Sequence, residues 1–317
     1  MCTAIKFKNR FVFRSFDYER RFGEELLVVP RESMRLSKAK NRYAIMGVGV
    51  TDCGEPLFFD GVNEWGLCAM ALNFPKYCDY GAERSSAGRI EYDERDREME
   101  HTEIPSAKLI SYILGLCRSV NEAREMLEKV DITGKTTLGG ADATPLHWMI
   151  SDIRESIVVE PLAEGLSVRD NPSEILTNSP PLDYHLTHLE DFKALSAKNP
   201  DRSEHYSRGI GALGLPGDFS SQSRFVRAWF LKQNGDVSFD VKEGVRDIFR
   251  LTSSLVIPRG CVINDRGESV VTEYTAVIDM ESPSYYLTTA TDSTVDFYPL
   301  SEELINGERI TVEKTLK

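Results

Sequence analysis

The chain has 317 residues, 41% of them apolar and 28% charged, a globular composition rather than a disordered or collagen-like one. Fifty acidic residues against 38 basic ones give a formal charge of -12, a field that repels phosphate backbones and anionic lipid and so excludes nucleic-acid and membrane-surface roles. No window approaches the roughly 20 apolar residues of a membrane span, and the six cysteines lack C-x-x-C spacing, which argues against a disulfide framework or structural zinc. Two alternating runs, Thr3 to Lys8 and Phe11 to Phe16, flank Asn9 and Arg10 and predict a β-hairpin. Strand patterns follow at Leu26 to Val29, Tyr43 to Val48 and Leu67 to Leu72, the last reached through a turn at Asp60-Gly61-Val62-Asn63.

From Ser85 to Glu103 large apolar residues are nearly absent, so this stretch, with its charge run Asp93 to Glu98, reads as an exposed loop. Pro105 opens a helical pattern with Leu109, Ile110, Ile113, Leu114 and Cys117 on one face; Ser119 and Glu122 form a capping box for a second helix, to Val130. Strands resume at Leu146 to Ser151, Ser156 to Glu160, Leu166 to Val168 and Glu174 to Thr177, and the polar stretch from His185 to Arg208 includes a helix. The glycines and proline of Gly214 to Phe219 force a turn before a helix from Ser223 to Leu231 that carries Arg224 and Arg227. A helix near Val245 to Leu251 and strands at Glu273 to Ile278, Ser284 to Thr289 and Val295 to Pro299 complete the chain. With no linker or repeat, the pattern predicts a single domain over 1–317, an α+β fold of antiparallel sheets with helices on their outer faces.

Cys2 stands apart because of its place. Methionine aminopeptidase trims Met1 before so small a residue, leaving a thiol and a free α-amine on one residue. The amine titrates near roughly 7.7 to 8.0 and a free thiol near about 8.5, so one residue can be nucleophile and base together. A two-residue turn at Asn9-Arg10 places Cys2 opposite Asp17, whose carboxylate would hold the amine. A three-residue turn places it opposite Phe16 with Arg14 on the same face, where a guanidinium favours thiolate. If both Arg14 and Asp17 serve Cys2, alternation requires a bulge or bend between them.

Met1-Cys2-Thr3, Phe13-Arg14-x-x-Asp17, Asp60-Gly61-x-Asn63-Glu64-x-Gly66-Leu67 and Leu72-Asn73-Phe74-Pro75 occur in that order. Leu146-His147-Trp148-Met149, Leu176-Thr177-Asn178-Ser179-Pro180, Leu215-Pro216-Gly217-Asp218-Phe219 and Ser223-Arg224-Phe225 continue the series. From residue 2 to about residue 300 the chain resembles the choloylglycine hydrolases, the bile salt hydrolase and penicillin V acylase family of N-terminal-nucleophile amidases. The resemblance implies a four-layer αββα sandwich of two antiparallel sheets flanked by helices. It implies that Cys2 attacks an amide carbonyl and forms a thioester that water releases, with Arg14 beside the thiol and Asp17 beside the amine. Asn73 and Asn178 match the family's asparagines near the oxyanion, and Arg224 its second active-site arginine. Neutral amide donors suit an oxygen that gains charge only in the transition state.

His147 lies between Leu146 and Trp148-Met149-Ile150 on a buried strand and reads as a hydrogen-bonded core histidine rather than a base. His185, His188 and His205 sit in a polar segment without spaced carboxylates, so no metal is expected, and the implied chemistry needs no cofactor. Phe16, Phe22 and Phe59 are candidates to line an apolar acyl cleft. Asn73, where some penicillin acylases carry tyrosine, favours conjugated bile acids as the small-molecule partner. Phe16 stands where a smaller side chain is expected, 76–103 is longer than in relatives and 185–214, which helps join subunits in tetrameric relatives, is shorter, so whether the chain forms a homo-oligomer, dimer or tetramer, stays open. The absence of a leader implies a cytoplasmic bacterial enzyme. The expectation is a bile salt hydrolase cleaving glycine or taurine conjugates. Its rivals are a penicillin V acylase, another N-acyl amidase or acyltransferase, and a non-catalytic bile-acid binding protein.

Overall fold

The structure, a computed structural model, describes residues 1–36, 39–81, 101–134, 144–200 and 209–317. The chain opens with β1 (Cys2–Phe7), β2 (Phe11–Tyr18) and β3 (Glu25–Val29), then the short pair β4 (Arg35–Leu36) and β5 (Ala39–Lys40). Next come β6 (Ile45–Asp52), β7 (Glu55–Asn63), β8 (Cys68–Asn73), β9 (Thr102–Pro105), α1 (Leu109–Leu116), α2 (Val120–Leu127) and β10 (Val130–Thr133). β11 (Leu146–Ser151), β12 (Ser156–Leu162), β13 (Gly165–Asp170), β14 (Ile175–Leu176) and α3 (Leu182–Leu189) follow. The last part holds α4 (Ser221–Asn234), α5 (Val241–Thr252), β15 (Val271–Asp279), β16 (Ser284–Thr289), β17 (Asp292–Pro299), α6 (Glu302–Ile305) and β18 (Thr311–Thr315).

Two antiparallel sheets dominate, one of six strands in the order β14-β1-β2-β15-β16-β17 and one of eight in the order β13-β12-β11-β8-β7-β6-β3-β18. Successive side chains of a strand point to opposite faces, and β1, β2, β11 and β15 are buried almost continuously along their length, so each sheet packs on both sides. An apolar cluster joins Ala4, Phe16 and Leu287 of the smaller sheet to Met46, Val48, Met70 and Leu72 of the larger, and extends to Phe225 and Val226 of α4 and Ile248 of α5. A second cluster packs Leu109, Ile113 and Leu114 of α1 against Ala69, Ala71, Trp148 and Ile150. The layers are therefore helix, sheet, sheet, helix, as the resemblance implies.

The structure selects between the two hairpin registers. Phe7 pairs with Phe11 and Cys2 with Phe16, leaving a three-residue turn of Lys8, Asn9 and Arg10. Lys8 and Asn9 take positive φ values of 51° and 54°, and the Arg10 N–H donates to Phe7 O at 3.0 Å. Arg14 therefore shares the face of Cys2, and Asp17 belongs to the opposite face beside Met1. The bulge expected between Arg14 and Asp17 is absent from β2: its register with β1 is unbroken, and the irregularity lies on β15, between Thr272 and Tyr274.

Asp60 to Asn63 form no turn but the end of β7; residues 64–66 make the reversal. The Asn63 carboxamide oxygen accepts from Trp65 N at 3.0 Å and Leu67 N at 3.1 Å. Gly66 has φ +80°, and a Cβ there would lie 2.0 Å from Met280 O, so only glycine fits. Ser119 caps α2 as predicted, accepting from Glu122 N at 3.3 Å, while the Glu122 carboxylate reaches back to Arg118 N at 2.8 Å. The final strand β18, unforeseen, pairs with β3. The helix expected within His185 to Arg208 begins earlier, at Leu182, and buries His185 completely. The charge run Asp93 to Glu98, most of the Ser85 to Glu103 loop, and His205 lie outside the described residues.

Candidate active site

Cys2 opens β1, the second strand of the six-stranded sheet, between the short edge strand β14 and β2. It is 3% exposed, a thiol enclosed by the fold rather than a frayed chain end. Met1 continues the β1–β2 ladder: Asp17 N donates to Met1 O at 2.9 Å, and the Met1 amine donates to Asp17 O. The Cys2 nitrogen is here a peptide N–H, and it donates to Asn178 Oδ1 at 2.8 Å. Register explains that contact. Ala4 pairs with Leu176 and Ile5 with Ile175, and extending the ladder by two residues brings Asn178 opposite Cys2.

Arg224 lies in the first turn of α4, which packs on the helix side of this sheet. Its Nη1 donates to Cys2 O at 2.5 Å and to Thr3 Oγ1 at 2.7 Å, and its Nη2 donates to Asn178 Oδ1 at 2.6 Å. The Arg224 Nε donates to Phe219 O at 3.0 Å, within the predicted turn before the helix. One oxygen of Asn178 thus receives both the Cys2 N–H and the Arg224 guanidinium. Burial lowers the Arg224 pKa, against the pull of Asp17 and Cys2, which favour its charge. Before α4, Asp218 accepts from Ser220 N at 2.9 Å and Ser223 Oγ at 2.6 Å. These bonds hold its carboxyl down to about 2.

On the inner face, Arg14 is fully buried and reaches across to the larger sheet, donating from Nη2 to Ala71 O at 2.7 Å, with Nε 3.5 Å from Asp60 Oδ2. Burial opposes its charge, but Cys2, Tyr274 and Asp60 outweigh that effect and raise its pKa. Asp17 is also fully buried; its carboxylate accepts from Thr272 Oγ1 at 2.6 Å and Ser15 Oγ at 3.2 Å. Burial pushes that carboxyl up, opposed by the terminal amine and Arg224.

Asn73 closes β8 of the other sheet. Its carbonyl accepts from Asn178 Nδ2 at 2.8 Å, and its own carboxamide oxygen, though enclosed, has no partner among the described residues. Five predicted residues, Cys2, Asn178, Arg224, Thr3-side Asp17 and inner-face Arg14, are thus arranged around one strand end, and Asn73 joins them through Asn178. The predicted aromatics also meet. Phe16, directly opposite Cys2, stacks on Phe59 at 4.9 Å and Tyr274 at 5.2 Å, and Phe22, 37% exposed, meets Phe16 and Phe59 edge-on.

Sequence reasoning missed the supports. Ser221 Oγ accepts from Asn178 N at 2.9 Å and donates to Asn178 O at 2.8 Å. The same carbonyl lies 2.9 Å from His185 Nε2, which stacks on Phe225. Burial lowers His185 to about 4, so it donates as a neutral ring. His147 is the core histidine expected: it bonds Thr177 O at 2.8 Å and stacks on Phe74, and Nδ1 lies 3.3 Å from Glu160. A serine three residues before Arg224 was the only trace of the first support in the sequence.

The model of the linear amide C–N hydrolases, choloylglycine hydrolase family, matches residues 2–313. A bile salt hydrolase/transferase of Lactiplantibacillus plantarum is 36% identical over 96% of this chain and 93% of its own length. One from Clostridium perfringens is 31% identical over 99% and 97%. The crystal structure of the C2A mutant of the conjugated bile acid hydrolase from C. perfringens superposes with a TM-score of 0.86 at 30% identity, covering 99% of this chain and 97% of that one. A penicillin V acylase from Agrobacterium tumefaciens shares the fold, with a TM-score of 0.71 at 22% identity over 98% and 90% of the two chains. With the match running almost end to end, the chain belongs to the choloylglycine hydrolase family of linear amide C–N hydrolases.

Proposed function

We propose that the protein is a bile salt hydrolase that cleaves the amide bond of glycine- and taurine-conjugated bile acids, with Cys2 as nucleophile once Met1 is removed. The observation that carries the reading is the grip on Cys2: Asn178 holds its nitrogen at 2.8 Å and Arg224 its carbonyl at 2.5 Å, while Arg14 shares its side-chain face. Such a grip holds sulfur and nitrogen of one residue in fixed relation, the requirement for a self-contained nucleophile and base.

In this mechanism the thiol proton passes to the Cys2 amine as sulfur attacks the amide carbonyl. The oxyanion meets Asn73 and the second hydrogen of Asn178 Nδ2, whose first is held by Asn73 O. The ammonium then protonates the departing glycine or taurine nitrogen, leaving a thioester. Water, deprotonated by the same amine, attacks the thioester and frees the bile acid and the thiol. Arg14 lies on the face of the sulfur; Asp17 and Arg224 fix the amine side. The stacked wall of Phe16, Phe22 and Phe59 beside Cys2 suits an apolar acyl group.

A second reading, acyl transfer to an amine in place of water, is favoured by the name hydrolase/transferase borne by the relatives from L. plantarum and C. perfringens, among others. Incubation with glycocholate, taurocholate and penicillin V, with detection of the released amine, tests the proposal. Release of glycine and taurine is expected. Cys2→Ser should lose thioester formation and turnover while unfolding within about 1 kcal/mol of the parent, because the two side chains differ by one atom. Unchanged turnover in that variant would overturn the nucleophile assignment. Added hydroxylamine reports transfer if a hydroxamate accumulates.

A further inference from the structure

The mechanism above leaves one fully buried carboxylate unused. β6 and β7 slip register between Val48 and Gly49: Val48 pairs with Asp60 and Gly49 with Phe58, so Phe59 is the extra residue. A bulge turns two successive side chains to one face. Phe58 and Gly61 look toward α1, where a Cβ on Gly61 would lie 2.8 Å from Leu114, while Phe59 joins the core between the sheets. Asp60 also enters that core, receiving the Tyr274 hydroxyl on Oδ2 and the Tyr285 hydroxyl on Oδ1 at 2.8 Å. Both tyrosines belong to the smaller sheet. Arg14 crosses from the same sheet to lie 3.5 Å from Asp60 Oδ2, and all four side chains are nearly or fully buried. Two phenols and one guanidinium therefore converge on one carboxylate, and the guanidinium is that of Arg14, which shares the face of Cys2.

We propose that Asp60, clamped by Tyr274 and Tyr285, is a positioning residue that aims the Arg14 guanidinium and sets how much of its charge reaches the Cys2 sulfur. The inference rests on Cys2 being the nucleophile. An isolated Arg14 would carry a full positive charge in a buried site, and an unshared Asp60 would cancel it. Two neutral hydroxyl donors draw off part of the carboxylate charge and leave Arg14 a net positive field. The groups facing Asp60 are Arg14 of β2, Tyr274 of β15, Tyr285 of β16 and Cys68 of β8; Cys2 lies beyond Arg14. Burial pushes the Cys68 thiol and both phenols up, and it pushes the Asp60 carboxyl up too, against the pull of Arg14 and the two hydroxyls; the charges in play are those of Arg14 and Asp60. The Arg14 Nη1, enclosed and without a partner among the described residues, is the free arm of this device.

The test reads the sulfur rather than turnover. The rate of Cys2 alkylation by iodoacetamide is followed against pH by peptide mass spectrometry in Met1-free enzyme, for the parent, Asp60→Asn and Tyr285→Phe. Asp60→Asn removes the offsetting charge and should alkylate about tenfold faster near pH 6. Tyr285→Phe leaves Asp60 less shared, cancels more of Arg14, and should alkylate roughly two- to threefold slower there. Opposite displacements distinguish charge control from a general loosening of the core, which moves both variants the same way. A parent-like profile in either folded variant, or displacement of both in one direction, overturns the proposal; if Asp60→Asn does not fold, Tyr285→Phe alone decides. Failure to release glycine or taurine would sink the substrate assignment and leave these profiles readable.

Discussion

Asn178 shows how much can depend on one carboxamide. Its oxygen receives the Cys2 nitrogen and Arg224, its nitrogen binds the opposite sheet, and its backbone is clasped by Ser221 and His185. His185 holds that backbone as a neutral ring, its pKa lowered to about 4 by burial. A histidine depressed in the folded state binds its proton more readily when unfolded, so its penalty to the fold grows as pH falls from about 6.5 toward 4. His185→Gln keeps a donor without the titration. Denaturant unfolding at pH 7 and pH 5 should show the parent losing about 2 kcal/mol relative to this variant at the lower pH. An unchanged difference would mean that His185 is not held neutral. The raised carboxyls of Asp17 and Asp60 act with the opposite sign and are common to both proteins, so they cancel in the comparison.

Among the elements, the opening hairpin decides which face Cys2 presents. The alternating runs were legible, but turn length was not: the left-handed Lys8 and Asn9 carry no glycine to announce a positive φ. Deleting Asn9 leaves Lys8 and Arg10 between Phe7 and Phe11, a two-residue turn that keeps Cys2 opposite Phe16 and on the face of Arg14. The variant should keep turnover within about tenfold of the parent with a native circular dichroism spectrum; a loss of about 100-fold in folded protein would show that turn length rather than strand pairing places the nucleophile. A similar obstacle hid Asp60. Asp-Gly is a turn signal, and only pairing with β6 across a bulge reveals these residues as strand. By contrast, Ser119, His147 and the helix bearing Arg224 were readable because capping and burial patterns are local.

For the whole molecule, net charge sets the terms of approach. The formal charge is -12, and conjugated bile acids, the proposed substrates, are anions, so at low ionic strength the protein's field would slow their arrival. Raising salt from about 10 to 150 mM shortens the screening length from roughly 30 to 8 Å and should raise kcat/KM for taurocholate about two- to threefold. A fall instead would show that the buried Arg14 and Arg224 govern encounter. The four layers were foreseeable from the antiparallel patterns and the family motifs. The cross-sheet bonds of Arg14 to Ala71, Asn178 to Asn73 and Asp60 to two tyrosines were not, because they join residues far apart in sequence through the core.

Most polypeptide beginnings wander, and laboratories exploit that looseness by attaching purification handles there. Here the first residues are stitched into a six-strand sheet from both sides, Cys2 by Asn178 and Arg224 and Met1 by Asp17. Any appendage ahead of Met1 must leave through this crowded doorway and would keep the cysteine nitrogen acylated. A handle joined after Lys317, which is exposed just past an edge strand, leaves the cysteine nitrogen free.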